Sequence, residues 1–186
     1  MNKIKLHAQL DCGFKKGMFY FIFFLLFTGC QDKRTMEKVY NNRDKLMALC
    51  KSKSLIKSRG QNFYILKTYK GNKTNEYYLS LKEDKLILER DSIQYVPDVV
   101  GWNKFKDSMN YKMMVCNYVK KMNQDLEALD IKEFRTDFSN LGEPLKLYLK
   151  DGKTISYIPN LKKLPREDNP YKNNLKNIRG DWYYSE

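Results

Sequence analysis

Histidine is almost absent from this chain: of 186 residues only His7 carries an imidazole. Ser-His-Asp and Cys-His nucleophile activation are therefore excluded beyond it, as is every histidine-ligated metal site. Cysteine is scarce too. Cys12, Cys30, Cys50 and Cys116 form no CxxC pair, and neither a phosphate-cradling glycine loop nor a calcium loop occurs, so the sequence implies no cofactor and no metal. Long apolar runs are also missing. The longest, Met18 to Phe27, is ten residues, against the ~20 that a helix needs to cross the hydrocarbon layer.

What is abundant is lysine. Lys and Arg number 35 against 22 Asp and Glu, a formal charge of +13 at pH 7. The charge is spread out, densest in "KSKSLIKSR" from Lys51, "LKLYLKDGK" from Leu145 and "NLKKLPR" from Asn160. Lysine interleaved with tyrosine suits nucleic acid in principle, but no recognised binding motif accompanies it, and no nucleic-acid partner is expected. Anionic head groups or acidic glycans of a cell envelope are the chemistry that such a surface would meet beside a membrane. A plain solvated surface is the simpler use of the same lysines.

The short apolar run follows Lys3, Lys5, Lys15 and Lys16, opposed only by Asp11, which is the layout of a secretory signal. It ends in Phe27-Thr28-Gly29-Cys30, a quartet that resembles the lipobox of bacterial lipoproteins. The one departure is Phe27, where leucine is commonest. The resemblance covers about the first 30 residues. It implies a signal peptide over residues 1–29 and a diacylglyceryl thioether on Cys30, with an acyl group such as palmitate added to its amine. Residues 30–35 would then be the lipidated tether and 36–186 a single domain. Gln31, in place of Asp directly after the cysteine, implies the outer membrane if the source is Gram-negative. Removing residues 1–29 takes away His7, four lysines and one aspartate, which lowers the charge from +13 to +10 and leaves 157 residues. A domain of that size buries about 68 to 70% of its unfolded surface. It needs no staples.

Periodicity outlines the rest. Met36, Val39, Tyr40, Leu46, Met47 and Cys50 fall at helical spacing over about Arg34 to Lys53. "NFYILKTY", "EYYLSL" and "KLILER" read as strands joined at Lys70-Gly71-Asn72 and Glu83-Asp84. Trp102, Phe105, Met109, Met113, Cys116, Val119, Leu126 and Leu129 advance by threes and fours, a long helix for which Asp98 is a candidate N-cap. "EFRTDFS" alternates Phe134, Thr136 and Phe138, and "PLKLYLKDGKTISYIP" is a hairpin around Asp151-Gly152. The tail is expected to be part loop, with Trp182, Tyr183 and Tyr184 packing back. The order helix, strands, helix, strands implies an α+β fold with an antiparallel sheet of two hairpin units against two helices. "LSLKEDKLI" and "LYLKDGKTI" echo one another, through duplication or through convergent hairpin chemistry.

Chemistry candidates are few. Cys50 and Cys116 either bridge or are separate buried thiols, and Cys116 is expected on the inner face of the long helix. Ser54 and Lys57 match the S-x-x-K spacing of penicillin-recognising enzymes, without the partner motifs S-D-N and K-T-G. Arg179-Gly180-Asp181 spells an integrin-type tripeptide but reads as a turn. Asp125, Glu127, Asp130, Glu133 and Asp137 crowd one region, where acid–base work would need two carboxylates in distinct environments. A solvated helix end paired to Lys132 and Arg135 is the alternative. The leading expectation is a lipid-anchored envelope module that binds a protein partner, for instance as an immunity-type protein, or an anionic envelope component. A structural envelope component comes next, then a small histidine-free hydrolase. A pocket holding paired carboxylates would favour the enzyme, and an exposed aromatic patch over a closed core would favour binding.

Overall fold

Strand-forming alternation dominates the structure, a computed structural model that describes residues 33–58, 62–103, 108–138, 142–164 and 174–186. The lipobox-like segment, Cys30, Gln31 and Phe105 lie outside the described residues. The chain divides into two units, Met1–Lys38 and Val39–Glu186.

Residues 33–41 form helix α1 and Arg43–Cys50 helix α2. Strands follow as β1 (Lys53–Lys57), β2 (Phe63–Lys70), β3 (Lys73–Lys82) and β4 (Lys85–Ser92). Helix α3 (Ser108–Glu127) then leads to β5 (Ile131–Arg135), β6 (Leu145–Leu149), β7 (Thr154–Tyr157), β8 (Lys176–Arg179) and β9 (Trp182–Ser185). They make one antiparallel sheet in the order β4-β3-β2-β1-β5-β6-β7-β9-β8. The fold is α+β, as the element order implies.

Each helix-then-meander half contributes its first strand to the middle of the sheet, where β1 meets β5 at Leu55 and Phe134. The register carries one buried row through six strands: Tyr77, Leu66, Leu55, Phe134, Leu147 and Ile155. Each such side chain contributes about 1.5–3 kcal/mol on burial. Tyr77 also meets Trp102 edge-on, ring centres 5.2 Å apart, and lies 6.5 Å from the ring of Tyr111 on α3. The echoing segments form the hairpins β3–β4 and β6–β7. They hold different places in the two halves, third and fourth strand in one, second and third in the other. Convergent turn chemistry gives that result; a strict duplication does not.

Several boundaries differ from expectation. The first helical segment is interrupted at Asn42 and stops at Cys50, and Lys53–Lys57 becomes a strand. Asp98 does not cap the long helix, which starts ten residues later at Ser108. Its carboxylate is instead bound to the sheet, and Gly101, with φ +83°, turns the chain away in a left-handed conformation that suits glycine. The buried stripe of α3 is Tyr111, Val115, Val119, Met122 and Leu126. Cys116 is therefore not on the inner face: it sits half-buried on the flank, and Met113 is 57% exposed. Two apolar series share this helix, and the larger, aromatic-led one won the core. Cys50 and Cys116 are both free thiols, so the bridge weighed from the sequence is not formed. The tail forms the β8–β9 hairpin, with Trp182 buried and Arg179-Gly180-Asp181 at its turn.

Candidate binding surface

The sequence-derived enzyme candidates come apart in three dimensions. Ser54 and Lys57 lie on β1, not on a helix, and three residues along a strand put side chains on opposite faces. Ser54 Oγ accepts from the Thr136 amide at 2.9 Å and from the Tyr69 hydroxyl at 3.1 Å. Lys57 Nζ pairs with Glu127 at 3.3 Å over the Tyr64 ring. Ser54 and Lys57 therefore form no dyad. Of the crowded carboxylates, Asp125 pairs with Lys121 at 3.3 Å and Asp137 with Arg135 at 2.7 Å, while Glu133 accepts from the amide of Lys57, whose ammonium holds Glu127, at 2.8 Å. Burial pushes the Glu127 carboxyl up, and bonds from Asn123 and Lys57 outweigh it, leaving its pKa below the ordinary value. Among the described residues no cluster of three potential metal ligands occurs.

Sequence reasoning missed a buried polar cluster around Asp98. Its Oδ2 accepts from Thr68 Oγ1 at 2.5 Å, Tyr77 Oη at 2.6 Å and Asn75 Nδ2 at 2.9 Å, while Oδ1 accepts from the Val100 amide at 3.0 Å. Asn75 is fully used, since its Oδ1 accepts from the Gln94 and Tyr95 amides and its Nδ2 also donates to the Tyr95 carbonyl. The cluster fastens the β4–α3 connection onto the sheet. Burial and the Asp98 carboxylate push the Tyr77 hydroxyl well above its ordinary range. The readable signal was polar: Thr68 and Asn75 continue the inward rows of Leu66 and Tyr77.

A cleft of about 770 Å³ opens where α2, the end of β2 and the β5–β6 connection meet. Its wall includes Met47, Cys50, Tyr69, Thr136, Asp137 and Pro144. Burial pushes the Cys50 thiol up to about 12, with Lys53 opposing, so it is a protonated and poor nucleophile at neutral pH. Asp137 is held by two Arg135 nitrogens, at 3.2 and 2.7 Å. The cleft presents a mixed lining without a paired acid and base.

The outward face of the sheet differs in kind. Phe63, Ile65, Lys67, Glu76 and Tyr78 alternate with the core residues of β2 and β3, and all are half-exposed. Lys67 pairs with Glu76 at 2.7 Å, and Glu76 accepts from the Tyr78 hydroxyl. Arg90 stands over the Tyr78 ring at 4.2 Å, with Phe63 6.3 Å away on the other side. Bonds from Lys67 and Tyr78 hold the Glu76 carboxyl below its ordinary range, and the partner bond raises Lys67. This is an aromatic ladder braced by charges. In the sequence its trace is the apolar character of both faces of "FYILKTY" and the doubled Tyr77-Tyr78, where a strand wet on one side should alternate with polar residues. Compared with family models, curated proteins and solved structures, the chain matches none.

Proposed function

We propose that this chain is a lipid-anchored cell-envelope protein whose folded part is a binding module, with a protein partner on the outward face of β2–β4. The anchor rests on the lipobox-like quartet ending at Cys30, with Gln31 favouring the outer membrane in a Gram-negative cell. The observation that carries the binding reading is the Phe63–Tyr78–Arg90 ladder, which presents large rings to solvent over a filled core. Tyrosine, phenylalanine and arginine are among the residues enriched at protein interfaces. An immunity-type role, blocking another protein in the envelope, uses such a surface without catalysis.

The test is a pull-down from native membranes with the full-length chain and its Phe63→Ala, Tyr78→Ala double variant. Both rings are half-exposed, so the variant keeps its unfolding transition while the captured partner falls at least tenfold, as loss of interface anchors does. Undiminished capture by a folded variant refutes the reading.

A further inference from the structure

At the β8 end of the sheet, far in strand order from the ladder on β2–β4, two arginines share one aromatic ring. The guanidinium carbon of Arg43, on α2, stands 4.8 Å from the centre of the Tyr40 ring, and that of Arg179, beside the β8–β9 turn, stands 5.3 Å from it. Stacking attracts each cation to the ring and also brings two like charges together. Little compensates them. Among the described residues the one acid paired with either is Asp44, 3.6 Å from Arg43, and its side chain is 89% exposed, so that pair is weak and screened by salt. Arg179 is exposed and in no ion pair among the described residues. In the sequence, residues 33–45 carry five Lys or Arg against Glu37 and Asp44. Tyr40 also follows Cys30 by ten residues, so even a fully extended backbone keeps it within about 35 Å of that cysteine.

We propose that the Arg43–Tyr40–Arg179 corner lies on the anionic head groups of the membrane that Cys30 enters, an inference that rests on the lipid anchor proposed above. Tyrosine and arginine suit that interface, because each carries an apolar or planar body and a polar tip that reaches the head groups. A basic patch beside an acyl anchor is also the two-signal attachment that holds a chain stably. The excess of positive charge along residues 33–45 is the pattern of a surface that meets many head groups, where a free phosphate would need only one pocket. A lipid surface is favoured over an acidic protein because the anchor keeps it within the chain's reach at all times. With the β8 end toward the bilayer, the ladder on β2–β4 stands at the other end of the strand order, open to its partner.

The test adds the full-length protein extracted from membranes to vesicles of phosphatidylcholine alone, or of phosphatidylcholine and phosphatidylglycerol in equal parts. Arginines are modified with phenylglyoxal and read by peptide mass spectrometry, with Arg90 as the control because it is exposed and also stacked on a tyrosine. Modification of Arg43 and Arg179 should fall about fivefold on the anionic vesicles relative to the neutral ones, the factor equal to roughly 1 kcal/mol per arginine at an anionic surface. Raised salt should restore it, and Arg90 should react alike on both. Intact mass of the same preparation separates this inference from the anchor. A chain without acyl mass refutes the anchor and the inference with it. A chain with acyl mass whose Arg43 and Arg179 react equally on both vesicles overturns the inference alone. Equal protection of Arg90 overturns it too, since the corner would then have no preference over the ladder. Equal protection by inorganic phosphate in detergent makes the corner a free-anion site and overturns the choice of a lipid surface.

Discussion

Asp98 shows how one residue can hold an unusual connection. Four donors converge on its carboxylate, and three of them, on Thr68, Asn75 and Tyr77, belong to the sheet. Truncating it leaves those donors buried beside an empty site, which costs more than the bonds themselves contribute. Asp98→Ala should therefore destabilise the fold by about 3 kcal/mol or more, read as a lower urea midpoint at unchanged slope. A shift under about 0.5 kcal/mol would show that the cluster is dispensable. Cys50 supplies a second residue-scale expectation. Its thiol is pushed by burial from 9.0 to about 12, and burial together with the Asp98 charge pushes the Tyr118 hydroxyl from 10.0 to about 12. Below pH 9 both groups are protonated in either state and stability is unaffected. Between about pH 9 and 12 the unfolded chain releases its protons first, so the fold loses stability as pH rises. Urea midpoints across that range should fall, and Cys50→Ala should flatten the fall. Equal slopes in the two proteins would contradict the burial of this thiol.

At the scale of elements, the hairpins were the most legible part of the sequence. Glu83 and Asp84 join β3 to β4 with φ of +49° and +60°, a turn whose hand matches the twist of its strands. Neither residue favours that conformation. Replacing the pair by Asn-Gly should stabilise the protein by up to about 1 kcal/mol, measured by chemical unfolding, because the strain is relieved at two positions. No change, or a loss, would mean that the two side chains matter where they stand. Asp151-Gly152 was legible for the same reason: local chemistry alone decides such a turn. Helix α3 was legible in existence but not in phase, because Met113 and Cys116 make an apolar series that competes with Tyr111, Val115 and Met122. Only the opposing sheet, with Tyr77 and Trp102 reaching toward Tyr111 and Tyr118, chooses between the two. Strand β1 was the least legible. "KSLIK" is short and lysine-rich, and its place beside the sheet centre depends on pairing with β2 and β5, residues distant along the chain. The outward ladder was illegible for a related reason, since Arg90 reaches Tyr78 only through cross-strand register.

For the whole molecule, anchoring and recognition are separate claims with separate tests. Cys30→Ser should abolish the acyl mass on protein extracted from membranes and leave unprocessed precursor, as intact-mass measurement would record. A wild-type chain without acyl mass would remove the anchor from the account and leave the folded part as described. The sheet then offers the aromatic ladder on its outward face. The central claim is that the ladder is where a partner sits, and site-specific photo-crosslinking in living cells tests it most directly. A benzophenone side chain would replace Tyr78 in one strain and Lys121, on the exposed side of α3, in another. The account expects one discrete crosslinked species from position 78 and none from position 121. Crosslinks of equal yield from both positions, or from position 121 alone, would contradict it.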